Sequence, residues 1–221
     1  MAAGAFGLIA VVLLGTAGVT RESKPPVARR DPGAARDLEA LMRAGEQGSW
    51  SVSYEFSRTL AGGRVLRQPM QEARSPSLHM LHSGSAMTVD KGDRSYDCNL
   101  AGAGYDCTAS IAGTTLPASE VVRVAVSAGA YDVTTASTAS IAGRRARCFR
   151  VLTTGHGQLP DLGVETDLCL TAAGVPLRQR VVRASGDVDE RVARSVATNV
   201  TTRTIEAMIR DLDRNPATPQ Q

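Results

Sequence analysis

At 221 residues, with a formal net charge of +3 and 4% aromatic residues, the chain is long enough for one medium domain with a core of its own and too short for two. The basic excess is spread thinly, so the composition implies no nucleic-acid partner. Lys24 and Lys91 are the only lysines among many arginines, a bias typical of a GC-rich genome, and the scarcity of aromatics leaves Val, Leu, Ala and Met to build the core. Small side chains fill a large barrel or sandwich poorly, which favours an interior with unfilled volume.

The first element is Ala2–Val19, an uncharged apolar run of 18 residues. That is the minimum for a membrane span and long for the core of a signal peptide, so residues 1–20 are a signal or an anchor, and the continuation through Gly18 and Val19 favours an uncleaved anchor. Arg21, Lys24, Arg29 and Arg30 follow it with no basic residue before it, which by the positive-inside rule places the remainder in the cytoplasm. The cysteines described below argue for the opposite side and outweigh it, and the expectation is an extracytoplasmic domain. Residues 21–34 read as a polar stalk and 214–221 as a loose tail, leaving 35–213 as the domain.

Asp31 and Pro32 form a helix start, and Leu38, Leu41, Met42 and Gly45 make one apolar stripe that ends near Gly45 or Gly48. Trp50, Val52, Tyr54 and Phe56 then alternate with Ser51, Ser53, Glu55 and Ser57, the pattern of a half-buried strand. Short strand-like runs follow at 64–72, 77–82, 86–89, 95–98 and 105–110, a meander of antiparallel hairpins. A second helix is expected over Pro117–Val126 with Gly129 as its stop. Strands resume at 131–138, 146–153, 164–171 and 175–184, and Val188–Val200, whose valines suit either a strand or a helix, is read as a strand. A last helix carries Ile205, Met208, Ile209 and Leu212, with Thr204 as its cap.

Cys98 and Cys107 flank NLAGAGYD at the edges of adjacent strands, and Cys148 and Cys169 lie in two later strands. The natural reading is two hairpin disulfides, Cys98–Cys107 and Cys148–Cys169, in an oxidising compartment; no C-x-x-C is present and the spacings match no zinc module. His79 and His82, three apart on a strand, point to opposite faces and cannot chelate a metal together. His156 lies between two glycines on a loop, no G-x-S-x-G occurs, and Gly102 and Gly104 lack the third glycine of a dinucleotide loop. No catalytic residue, metal site or cofactor is implied, and the chain is read as no enzyme.

The run RCFRVLTTGH followed by DLCLTAAGVPLRQRVV places one cysteine strand, a second cysteine strand and the turn Gly174-Val175-Pro176-Leu177 in succession. Together with a leading helix and many antiparallel strands interrupted by a helix, this resembles the lipoprotein-carrier superfamily, the LolA-like periplasmic carriers and the LppX and LprG type envelope lipoproteins of actinobacteria, over Asp37–Arg210. The resemblance implies a half-open barrel holding acyl chains between sheet and helices, although the acylated cysteine of the LppX and LprG type is absent here. The fold class expected is therefore α+β, a curved antiparallel sheet (an open half-barrel) packed against two or three helices. The first functional expectation is a membrane-tethered module that binds a lipid or apolar small molecule, with Trp50, Val52, Tyr54, Phe56, Met80, Met87 and Leu168 as cavity candidates that serve equally well as core. The alternative is a sensory or structural domain that docks an envelope protein through a sheet edge or apolar patch.

Overall fold

The computed structural model describes residues 31–102, 104–111, 116–155 and 162–214, with side chains to residue 211. The expected leader, most of the stalk, His156 and the tail lie outside these residues. Helix α1 (Pro32–Gln47) starts as its sequence dictates: Asp31 Oδ1 accepts the amides of Gly33 and Ala34 at 3.0 and 3.1 Å, and Pro32 occupies a position where a missing N–H costs nothing. Six strands follow, β1 (Trp50–Thr59), β2 (Val65–Ser75), β3 (Leu78–Ser83), β4 (Ala86–Lys91), β5 (Arg94–Ala101) and β6 (Gly104–Ile111). Helix α2 (Ala118–Ser127) leads to β7 (Tyr131–Ile141), β8 (Arg144–Thr153), β9 (Glu165–Leu170), β10 (Pro176–Val182) and β11 (Val188–Thr198), and α3 (Thr202–Arg214) closes the described chain.

All eleven strands form one open antiparallel sheet in the order β6-β5-β4-β3-β2-β1-β11-β10-β9-β8-β7. Each half is a simple meander, and the halves join where β11 pairs with β1, Trp50 opposite Thr198 and Thr59 opposite Val188. Helix α2 carries the chain from one edge of the sheet to the other. The sheet is curled: β11 touches β7, four strand steps away, although a flat sheet would hold them about 19 Å apart. The Tyr54 hydroxyl also donates to the Pro176 carbonyl oxygen at 2.8 Å, tying β1 to the start of β10. The α+β class and the curved open sheet expected from the sequence are what the chain forms.

Three apolar clusters hold it together. Helices α1 and α2 pack Ala34, Leu38, Val122 and Ala125 onto Tyr131, Val133, Phe149, Val151, Leu168 and Leu170 of β7–β9. A second cluster gathers Trp50, Val52, Tyr54, Cys148, Cys169, Val175, Leu177 and Ala193. Under α3, Ala73, Leu78, Met80, Met87, Val89 and Cys98 of β2–β5 meet Val200 and Ile205.

Two local devices shape the helices. α2 has no side-chain cap of its own; Glu46 of α1 supplies one, accepting the Ser119 amide at 2.8 Å and its hydroxyl at 2.5 Å. For α3 the cap is Thr201, whose Oγ1 accepts the Thr204 amide at 3.1 Å, and not Thr204 as the sequence suggested; the helix begins three residues earlier than its apolar spacing indicates.

Candidate functional site

The alternation of β2–β5 puts two different chemistries on the two faces of the same strands. One face, carrying Ala73, Met80, Val89 and Cys98, lies against α3. The other carries direct cross-strand partners Arg74, His79, Asp90 and Ser95, with Glu72 beside them.

On that second face a polar chain crosses the sheet. Arg191 of β11 donates to Glu72 Oε2 at 2.8 Å and stacks its guanidinium 5.2 Å from the Tyr54 ring centre. His79 Nε2 is 3.1 Å from Glu72 Oε1, His79 Nδ1 is 3.3 Å from Asp90 Oδ2, and the Ser95 hydroxyl donates to Asp90 Oδ1 at 2.7 Å. Burial pushes the Glu72 carboxyl up, but Arg191 and then His79 outweigh it and hold the group at about 2. Burial, reinforced by the Glu72 charge, pushes the Tyr54 hydroxyl above its ordinary range. Arg191 and Glu72 form a buried ion pair, and among the described residues the Nε of Arg191 is buried without a hydrogen-bond partner. Such an arrangement fixes strands against one another; among the described residues no three His, Cys, Asp or Glu groups come together to hold a metal ion.

The α3 face has a different character. Between the C-terminal half of α3 and β3–β5 lies a hollow of about 430 Å³, open to solvent and lined by Leu78, Val89, Tyr96 and Ile209 with Lys91, Glu206 and Arg210 at its rim. Lys91 Nζ donates to Glu206 Oε1 at 2.8 Å across the mouth, which raises the Lys91 ammonium above its ordinary value. A second hollow of about 280 Å³, lined by Phe56, Arg58, Leu66, Arg67, Gln68 and Ser83, opens at the far end of β1–β3.

The seven residues named from the sequence do not meet in one place. Trp50, Val52 and Tyr54 belong to the central cluster, Met80 and Met87 to the one under α3, and Leu168 to the one under α1 and α2. Phe56 lines the smaller hollow. All but Phe56, which is half-buried, lie in the core, and strand alternation does not tell which cluster buries each. His79 and His82 do face opposite sides: His79 joins the polar chain, whereas His82 reaches the Tyr105 hydroxyl at 2.8 Å, and burial lowers its basicity. No local pattern joins the residues of the α3 hollow, since Leu78, Val89, Tyr96 and Ile209 come from four separated elements; the helical spacing of Ile205, Met208 and Ile209 is the one signal in the sequence.

Both disulfides join direct cross-strand partners, Cys98 with Cys107 across β5 and β6, and Cys148 with Cys169 across β8 and β9, as the sequence reading had them. They fit an oxidising, extracytoplasmic compartment. Among the described residues no helix is long and apolar enough to cross a membrane.

No family model matches the sequence, and no curated protein matches it. Solved structures are similar to the chain in part. The MucA/MucB complex of Pseudomonas aeruginosa is 18% identical over 76% of this chain, with a TM-score of 0.49, and the chain spans 57% of that protein's length. LprF from Mycobacterium bovis is 11% identical, the match covering 78% of this chain and 96% of LprF at a TM-score of 0.42. The LolA superfamily protein NE2245 from Nitrosomonas europaea is 8% identical, the match covering 76% of this chain and 96% of that one at 0.34. Likenesses of this degree assign the chain to no family.

Proposed function

We propose that the chain is a non-enzymatic, extracytoplasmic binding domain, tethered through Ala2–Val19, that takes the acyl chain of a lipid or a similar apolar group in the hollow beneath α3. The observation that carries this reading is the combination of an apolar floor (Leu78, Val89, Tyr96 and Ile209) with Lys91, Glu206 and Arg210 at the rim, in a space of about 430 Å³. That volume lies in the range of small-ligand sites, and beside the Lys91–Glu206 pair Arg210 leaves the rim one net positive charge over an apolar floor, which suits an amphiphile with an anionic head. The amphipathic helix beside the floor contributes part of the wall through Ile209, and the open mouth admits a ligand directly.

The test is native mass spectrometry of the protein titrated with an anionic phospholipid or a fatty acid, beside the variants Ile209→Glu and Tyr96→Ser. Discrete one-to-one adducts that both variants weaken are expected. Protein that remains unliganded at every lipid concentration, or adducts indifferent to both variants, would remove the reading. A second reading, a domain that docks a partner protein, is favoured by one observation: strand β6 lies at the edge of the sheet with Ile111 strongly exposed.

A further inference from the structure

Thr108-Ala109-Ser110-Ile111 recurs letter for letter as Thr138-Ala139-Ser140-Ile141, and Ala and Gly follow both copies. The two copies lie on β6 and β7, the two outermost strands of the sheet. Their surroundings differ. On β7, Ala139 and Ile141 are partly buried against the cluster that contains Cys148 and Cys169. On β6, Ile111 is 85% exposed, and Ala109 and Cys107 are exposed beside it.

The disulfide reveals which backbone groups of β6 point outward. Cys98 and Cys107 are direct partners with Cα atoms 4.0 Å apart, the close spacing of an antiparallel pair that exchanges no hydrogen bonds. The N–H and C=O of Cys107 therefore point away from β5, and by the two-residue period so do those of Ala109 and Ile111. β6 thus offers an outward row of donors and acceptors, while its side chains include no Lys or Pro and only one charge, Asp106.

We propose that β6 is a self-pairing edge through which two copies of this chain join, antiparallel, about a two-fold axis at Ala109. In this register Ala109 faces the partner's Ala109, Cys107 faces the partner's Ile111, and Thr108 faces the partner's Ser110. The outward-pointing positions are those that become hydrogen-bonded pairs, so the 107–111 ladder closes without reorienting a peptide. Ile111 of each copy covers the other's Cys98–Cys107 disulfide, as Ile141 covers the cluster around the second disulfide inside one molecule. Two small hydroxyls meet on the opposite face, and Asp106 falls outside the ladder, so no like charges oppose. The edge at β7 is less suited: a bulge between Thr135 and Ser137 interrupts it, and α1 and α2 pack on that strand. A ladder this short buries far less than the roughly 1,000 Å² of a stable interface, so the dimer forms in a concentration-dependent way. This surface is separate from the α3 hollow, and its test is independent of ligand binding.

The experiment combines sedimentation equilibrium with amide hydrogen exchange on the full chain over rising protein concentration. Dimer is expected to accumulate, with the amides of Cys107, Ala109 and Ile111 becoming slower while those of Thr108 and Ser110, already bonded to β5, do not change. Ala109→Pro removes an outward N–H that β5 does not use and should weaken association about tenfold or more with the far-ultraviolet spectrum unaltered. Ile111→Lys should do the same through charge, and Ile111→Val should restore most of it, which separates loss of pairing from loss of folding. A chain that stays monomeric throughout, a dimer that both Ala109→Pro and Ile111→Lys leave intact, or exchange at 107, 109 and 111 independent of concentration would each overturn the proposal.

Discussion

The two ends of the sheet are made from the same material, a hairpin stapled by one disulfide, yet they are held to very different degrees. At the β7–β9 end two helices cover the sheet, the disulfide is buried, and α1 presses so closely on the β9–β10 turn that only glycine fits on either side: a Cβ on Gly45 would lie 2.2 Å from the Gly174 carbonyl oxygen, and one on Gly174 would lie 2.0 Å from that of Leu41. At the β3–β6 end one amphipathic helix lies on the sheet, Cys107 is exposed, and among the described residues no strand pairs with the outer side of β6. The contrast separates two tasks. Rigidity is concentrated at one end and access at the other, and both candidate interaction surfaces, the α3 hollow and the β6 edge, fall at the loosely held end.

The largest expected effect tests the clamp. Gly174 has φ +77° and no room for a methyl group, so Gly174→Ala should cost on the order of 4 kcal/mol. Gly102 in the β5–β6 turn has φ +63° with open space around it, so Gly102→Ala should cost only the left-handed strain, about 1 kcal/mol. Urea unfolding of the two variants gives the comparison directly, and equal losses would mean the ends are not differently held. Replacing the disulfides in turn, both cysteines to alanine each time, should cost about 3.4 kcal/mol for Cys148–Cys169 and about 2.6 for Cys98–Cys107 from loop closure alone. The gap should widen because both cysteines of the first are buried whereas only Cys98 of the second is, and the two losses should add, since the pairs belong to different clusters.

Between the ends, the polar chain from Arg191 to Ser95 makes the seam sensitive to acid. Glu72 titrates at about 2 in the folded protein against 4.5 when unperturbed, so its contribution is complete above pH 4.5 and is lost as pH falls through that range toward 2. The full loss should approach about 3 kcal/mol, read as the shift of the urea midpoint with pH, and Glu72→Gln should flatten that part of the profile. The smallest effect sharpens the picture at the open end: Thr201→Ala removes the α3 cap and should cost about 1 kcal/mol. Amide exchange should accelerate in the first turn of α3 and remain unchanged in α1.

Much of this architecture is written locally. The alternation of Trp50 to Ser57, the turn at residues 90–93 and the cysteine spacings specify hairpins between neighbours in sequence, and those hairpins are present. What local pattern cannot carry is the partner of an edge. β1 and β11 are separated by most of the chain, and nothing in WSVSYEFSRT indicates that VDERVARSVAT will lie beside it; that pairing decides where Arg191 meets Glu72 and Tyr54. For the same reason Trp50, Met80 and Leu168 were recognisable as buried while their separate clusters were not. Thr204 was a plausible cap because it precedes Ile205, but an additional helical turn draws the boundary back to Thr201. The repeated TASI was visible as text, and its meaning came only from its place on the two outermost strands.

The helices are exchanged between the halves. α1, from the N-terminal half, closes the cluster over β7–β9, and α3, from the C-terminal half, closes the cluster over β2–β5. Consequently neither half can complete itself as the polypeptide emerges. Ala73, Met80, Met87 and Val89 must wait for Ile205, far later in the sequence, before a described helix covers them. In a chain delivered across a membrane N-terminus first, the first meander would keep that face open to whatever chaperone or membrane surface lies at the exit until α3 followed it through.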